Sequence, residues 1–219
     1  MKDQDIIYLI ECSCTRKGIV ERKFSNGAFK MGISCTAYKN VKYVGYGHTE
    51  WDSDGKKKAL DDDDNPMMFE SVPIIENFVE LTEDVLGFHR PRAGVLEPGI
   101  YVFDDKYCWP AGSYSSHNRF REGLAKLYRV KLPDGVHAPL PADDPFSDII
   151  YFCNEDSVLD ASACAKLWAD FAAMYPRAVV YANKLEAKEK GEGEYWLDKY
   201  ESWTDGLEVA TNAGFVVLR

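Results

Sequence analysis

Four side chains of kinds that bind anions or carry protons, Tyr114, His117, Arg119 and Arg121, fall within one eight-residue stretch. They follow Ser113 and lead into Phe120, Leu124, Leu127 and Tyr128, whose i, i+4, i+7, i+8 spacing marks one apolar face of a helix. The four therefore cluster around a helix start, where free backbone N–H groups and the helix dipole favour negative charge. Two arginines there can grip a carboxylate or phosphate through paired hydrogen bonds. This is the candidate anion site. The competing arrangement is a solvated helix start whose arginines pair with neighbouring carboxylates.

Other chemistry is thinner. Cys12 and Cys14 would share one face of a strand, and Cys35 and His48 would complete four ligands of the types zinc prefers. A zinc motif needs two closely spaced couples and only one exists, so the expectation is buried thiols and no metal. Asp52-Ser53-Asp54-Gly55 and the run Asp61, Asp62, Asp63, Asp64 suggest calcium loops, but Lys56, Lys57 and Lys58 stand where later ligands belong. Four consecutive like charges imply a solvated, mobile loop that offers a partner-binding face. His48, His89, His117 and His137 form no paired metal or base motif, and Gly-x-Ser-x-Gly, Walker A and dinucleotide fingerprints are absent. No cofactor is expected, and common hydrolases and nucleotide enzymes are disfavoured.

Charge sharpens the acidic reading. The 219 residues carry 26 basic and 36 acidic side chains, net −10. Residues 1–58 hold 11 basic and 7 acidic groups, while residues 59–104 hold 2 and 11. Such a chain is repelled by phosphate backbones, which argues against general nucleic-acid binding. The alternative fate of the acidic stretch is neutralisation by the basic first segment within the fold. The apolar run at residues 6–10 is too short for a signal-peptide core, and nothing approaches the roughly 20 apolar residues of a membrane span. Six cysteines without a secretion signal are expected as reduced thiols in a cytoplasm.

The elements that must position these residues divide the chain near residue 105. Residues 6–10, 19–24 and 28–33 read as strands, the last two joined at Asn26-Gly27 as a hairpin, and residues 41–46 as a fourth. Residues 52–66 read as a polar loop. Residues 73–86 fit either period and are taken as helix, and residues 100–103 as a strand. A helix carries residues 120–128, and a proline-rich connector spans 133–145. Asp160 is placed to cap a helix bearing Cys164, Leu167, Trp168, Phe171, Ala172 and Tyr175 on one face, ended or kinked at Pro176, with a second helical segment running on to about residue 190. Trp196, Tyr200, Trp203, Leu207 and Ala210 mark a last helix, capped by Asn212 or Gly214 and packed on a core. Residues 215–218 close as a strand. The expected class is α+β, with a β-rich region 1–104 and a mainly helical region 105–219 that pack as one body or two.

From about Trp109 onward the chain resembles a group of uncharacterised bacterial and phage proteins. The resemblance rests on Ser113-Tyr114-Ser115, Phe120-Arg121, Leu124-Ala125, Asp144-Pro145-Phe146, Phe152-Cys153-Asn154, Cys164-Ala165-Lys166-Leu167 and the closing Trp/Tyr helix. Members often carry His-Ser-Asp-Cys-Asp-Gly where this chain reads Asn154-Glu155-Asp156-Ser157-Val158-Leu159. The resemblance implies a C-terminal helical unit and brings no activity with it.

Two function classes follow. One is a non-catalytic acidic binding protein, of immunity or phage-inhibitor type, that occupies a protein partner with a basic surface. The other is a small enzyme or binder of a small anionic ligand working around Tyr114 to Arg121.

Overall fold

A computed structural model describes residues 32–75, 77–87, 96–128, 141, 143–152 and 157–219. In chain order these form β1 (Ile33–Lys39), β2 (Lys42–Gly45), β3 (His48–Trp51), β4 (Lys57–Leu60), β5 (Met68–Phe69), β6 (Val72–Pro73) and β7 (Phe78–Leu81). The short helix α1 (Glu83–Gly87), β8 (Gly99–Val102) and β9 (Asp105–Gly112) follow. The helical part comprises α2 (Tyr114–Tyr128), α3 (Ser147–Phe152), β10 (Ser157–Asp160), α4 (Ala161–Glu186) and α5 (Glu192–Ala210), and β11 (Phe215–Leu218) ends the chain. The class is α+β, with strands first and the long helices after them. Among the described residues no helix is long and apolar enough to cross a membrane.

The organising layer is an antiparallel sheet in the order β10-β11-β1-β9. It crosses residue 105, because β1 from the first part of the chain lies between β11 and β9. Side chains alternate across a sheet, and β11 shows the result. Val216 and Leu218 join the core under the helices with Cys35, Ala37 and Trp109. Phe215 and Val217 join a second core on the opposite face with Tyr38, Val79, Leu81 and Tyr101. A four-residue strand covered on both sides must be apolar throughout, which is what residues 215–218 are.

On the first face α4 and α5 pair as a helical hairpin over the sheet. Phe171, Tyr200, Trp196 and Trp203 are buried there, and the Tyr200 hydroxyl donates to the Phe171 carbonyl at 2.6 Å. Asp160 caps α4 as expected, its carboxylate accepting from Ala163 N–H at 2.8 Å. Gly191 starts α5 at φ 89° with no side chain to cap it. Glu186 does that job from the end of α4, accepting from the N–H groups of Gly191 and Gly193.

The second face carries a lobe of short strands. A three-stranded sheet β2-β8-β7 packs against the central sheet, and the hairpins β3-β4 and β5-β6 lie beyond it. A small core of Ala59, Met67, Ile74 and Ile100 holds them together.

Several expectations need correction. Residues 57–60 are strand rather than loop, because pairing with β3 buries Ala59 and Leu60 despite the lysines beside them. Residues 73–86 are β6, β7 and the one-turn α1 rather than a helix, since Val79 and Leu81 turn inward with period two. Strand β9 was not foreseen, and α4 runs through Pro176 to Glu186. Trp168 is 38% exposed and Tyr175 and Ala172 are also exposed, so the buried stripe of α4 is narrower than its apolar pattern. Helix α5 is capped at Thr211 rather than Asn212 or Gly214. The strands at residues 6–10 and 19–24, the turn at Asn26-Gly27, Cys12, Cys14, His89, His137 and Asp156 lie outside the described residues.

Candidate functional site

Strand β9 ends at Gly112, whose φ of 90° turns the chain into α2. Ser113 caps the helix, its hydroxyl accepting from Ser116 N–H at 3.3 Å and its carbonyl from His117 N–H at 2.8 Å. The helix then sorts the four expected site residues by its 100° step. His117 and Arg121 turn inward, and Tyr114 and Arg119 turn outward. The His117 ring lies 6.2 Å from that of Trp203 in a stacked arrangement. The Arg121 guanidinium donates from Nε to the Ile150 carbonyl at 2.9 Å, from a second nitrogen to the same carbonyl, and to Asn118 Oδ1 at 3.3 Å. Arg121 thus ties α2 to α3. Arg119 pairs with Glu192 at 3.8 Å on the surface. The fold therefore does not present all four side chains to one ligand.

What it assembles beside them is a different set. Lys199, from α5, reaches under the start of α2 and is 8% exposed. Its Nζ donates to the Ala111 carbonyl at 2.8 Å and to Ser116 Oγ at 2.6 Å. Ser116 Oγ also shares a hydrogen bond of 3.0 Å with the Tyr195 hydroxyl, and Nζ lies 4.9 Å from the Tyr195 ring centre. Gly112 closes over the amine: a side chain there would begin 2.8 Å from Nζ. Burial depresses the Lys199 ammonium below its ordinary value; Tyr195 opposes this and Arg119 adds to it. Burial alone would raise the Tyr195 phenol, but the Ser116 hydrogen bond and the charges of Lys199 and Arg119 outweigh it and hold the phenol low.

The contrast with Lys166 is instructive. That lysine sits against α3 and has Asp170 at 3.0 Å and Asp148 at 4.0 Å, with Ser147 Oγ and the Asp144 carbonyl besides. It is a neutralised structural pin. Among the described residues Lys199 has no carboxylate within ion-pairing distance. An amine buried without a counter-ion is costly to stability, and such groups concentrate at functional sites. The cluster of Ser116, Tyr195 and Lys199 escaped the reading of the sequence, although a signal existed. Residues 196, 199 and 203 share one face at i, i+3, i+7, so Lys199 is a charge set into the apolar stripe of Trp196 and Trp203.

The acidic run has a definite geometry. Asp61 Oδ1 accepts from the N–H groups of Asp63 at 3.0 Å and Asn65 at 2.9 Å. Asp52 repeats the device, accepting from Asp54 at 3.0 Å and Lys56 at 2.8 Å. In each turn the third residue on is left-handed, Gly55 at φ 74° and Asp64 at φ 61°. Residues 61–64 are thus a built turn rather than a loose loop, because one aspartate satisfies the backbone that the others would leave open. Asp64 also meets His48 at 3.4 Å, leaving Asp62 and Asp63 exposed. Cys35 is buried in the central strand, apart from this turn, and among the described residues no group of three or more His, Cys, Asp or Glu side chains is arranged to hold a metal.

No family model, curated protein sequence or solved structure matches the chain.

Proposed function

We propose that the protein is an acidic binding protein of immunity or inhibitor type, whose outer β lobe docks on a partner protein with a basic surface. The observation that carries this reading is a coincidence of apolar exposure and charge. Among the described residues six of the eleven exposed large apolar side chains, Tyr43, Tyr46, Trp51, Met68, Val72 and Ile75, come from residues 43–75. The same stretch holds eight acidic side chains and three lysines. Exposed Trp, Tyr and Met are the residues that anchor interfaces, and charges around them set partner choice and association rate. An acidic surround selects a basic partner. The reading also assigns the protein to the cytoplasm of a bacterium, or to a phage within one, where its cysteines stay reduced.

The test uses the full chain as bait in three forms: the natural sequence, Tyr46→Ser with Trp51→Ser, and Asp62→Asn with Asp63→Asn. A stoichiometric partner held by the first and lost by the second, then rebuilt from purified components, supports the reading. A partner held equally by all three would contradict it. So would protection of this surface, in the isolated chain, by its own residues 1–31.

A further inference from the structure

We infer that Ser116 is a nucleophile for acyl transfer from small carboxylic esters, with Lys199 as its base and Tyr195 as the proton relay to the leaving group. This assignment is independent of the docking surface, which lies on the other side of the central sheet.

Geometry carries it. A serine hydroxyl is a weak nucleophile until a base within hydrogen-bond reach can take its proton. Lys199 Nζ stands 2.6 Å from Ser116 Oγ, and the Tyr195 hydroxyl 3.0 Å from it. The amine is buried without a carboxylate, which favours the neutral form that a base requires. The charged and titratable groups facing it are Tyr195 from its own helix, Arg119 from α2 and Cys35 from β1. Arg119 adds to burial in favouring the neutral amine, while Tyr195 and Cys35 favour the ammonium. Ser116 is the third residue of α2 and so lies near the positive end of a fifteen-residue helix. The cluster meets solvent through Tyr195, which is 47% exposed. A side chain at position 112 would begin 2.8 Å from Nζ and 3.3 Å from Oγ, so glycine is what lets the backbone lie this close to both.

The steps balance. Ser116 Oγ attacks the ester carbonyl carbon while its proton passes to neutral Lys199. The tetrahedral intermediate then breaks its bond to the alkoxy oxygen. That alkoxide takes the Tyr195 hydroxyl proton, and the Lys199 ammonium reprotonates Tyr195. Water next attacks the acyl-serine, giving its proton to Lys199, which returns it to Ser116 Oγ as the carboxylic acid leaves.

The test is labelling of the full chain with a fluorophosphonate probe, mapped by mass spectrometry, alongside hydrolysis of p-nitrophenyl acetate. The exposed Ser113 and Ser115 serve as controls within the same molecule. The expected result is an adduct confined to Ser116, forming faster as pH rises through a range below that of ordinary lysine. Lys199→Arg keeps hydrogen-bond donors at this position but removes the base, and labelling should fall at least about a hundredfold. Tyr195→Phe should slow ester turnover more than labelling. An unmodified Ser116, equal labelling of Ser113 and Ser115, or an unchanged rate in Lys199→Arg would each overturn the assignment.

Discussion

The central sheet is covered in opposite ways on its two faces. On one, α4 and α5 press a dense aromatic core onto it, with Phe171, Tyr200 and Trp203 almost fully buried. On the other, strands of two to four residues enclose a small core and leave Trp51 and Tyr46 61% exposed. The difference separates two tasks. The large aromatic side chains of the helical core contribute to stability, whereas Tyr46 and Trp51 on the outer lobe remain exposed. Loops and short strands on a rigid support are where binding surfaces are ordinarily carried.

The largest expected effect that sharpens this comparison lies in the body. Phe171 is enclosed by Phe146 and Tyr200, whose ring centres lie 5.0 and 4.5 Å away. Phe171→Ala should destabilise by about 3–5 kcal/mol, measured by denaturant unfolding. Trp168→Ala, one residue off the buried stripe, should stay within about 1 kcal/mol. Equal losses would show that the stripe is wider than the structure has it. Removing the α4 cap is next: Asp160→Ala should cost about 1 kcal/mol, the ordinary value of an N-cap.

A smaller effect concerns the α4–α5 turn and depends on pH. Backbone N–H groups of Gly191, Glu194 and Gly193 hold the Glu186 carboxyl below its ordinary range. A carboxylate depressed in the folded state stabilises above the unfolded pKa and loses that contribution as pH falls through the folded one. Glu186→Gln should therefore lower the thermal midpoint near pH 7 and converge with the natural protein in the acid range. A gap that persists at low pH would show that the turn does not depend on the ionised carboxyl.

In the lobe the expected changes in stability are slight. Asp64→Gly keeps the left-handed turn, as Gly55 does in its counterpart, and relieves the strain a non-glycine residue carries there, so stability should change by well under about 1 kcal/mol, in the favourable direction. Chemical denaturation of the pair would measure it.

How much could be read from residues alone follows the same division. The body was legible because its signals are local: Asp160 ahead of a 3.6-residue apolar period, the Trp196/Tyr200/Trp203 stripe, and the unbroken run at residues 215–218. The lobe was less so, because its strands exist through their partners. Lys57 and Lys58 suit a strand only when opposite Trp51 and Glu50. Strand β9 begins with charge and contains Pro110, and it becomes a strand by lying along β1. Arg121 and His117 looked like surface ligands because helix periodicity places a polar residue on a face without saying what covers it. Lys199 is the opposite case, a charge within an aromatic stripe whose period by itself predicts only core packing.

The central claim is that the lobe meets a basic partner through exposed aromatics surrounded by unpaired acids. Asp61 and Asp64 shape their turn, so Asp62 and Asp63 are the residues that test it without disturbing the fold. The direct measurement is the association rate constant with the purified partner across ionic strength, for the natural chain and for Asp62→Asn with Asp63→Asn. The account predicts a rate that falls steeply with salt in the natural chain, and a slower, flatter dependence in the variant, with dissociation little changed. Superimposable rate–salt curves for the two proteins would contradict it.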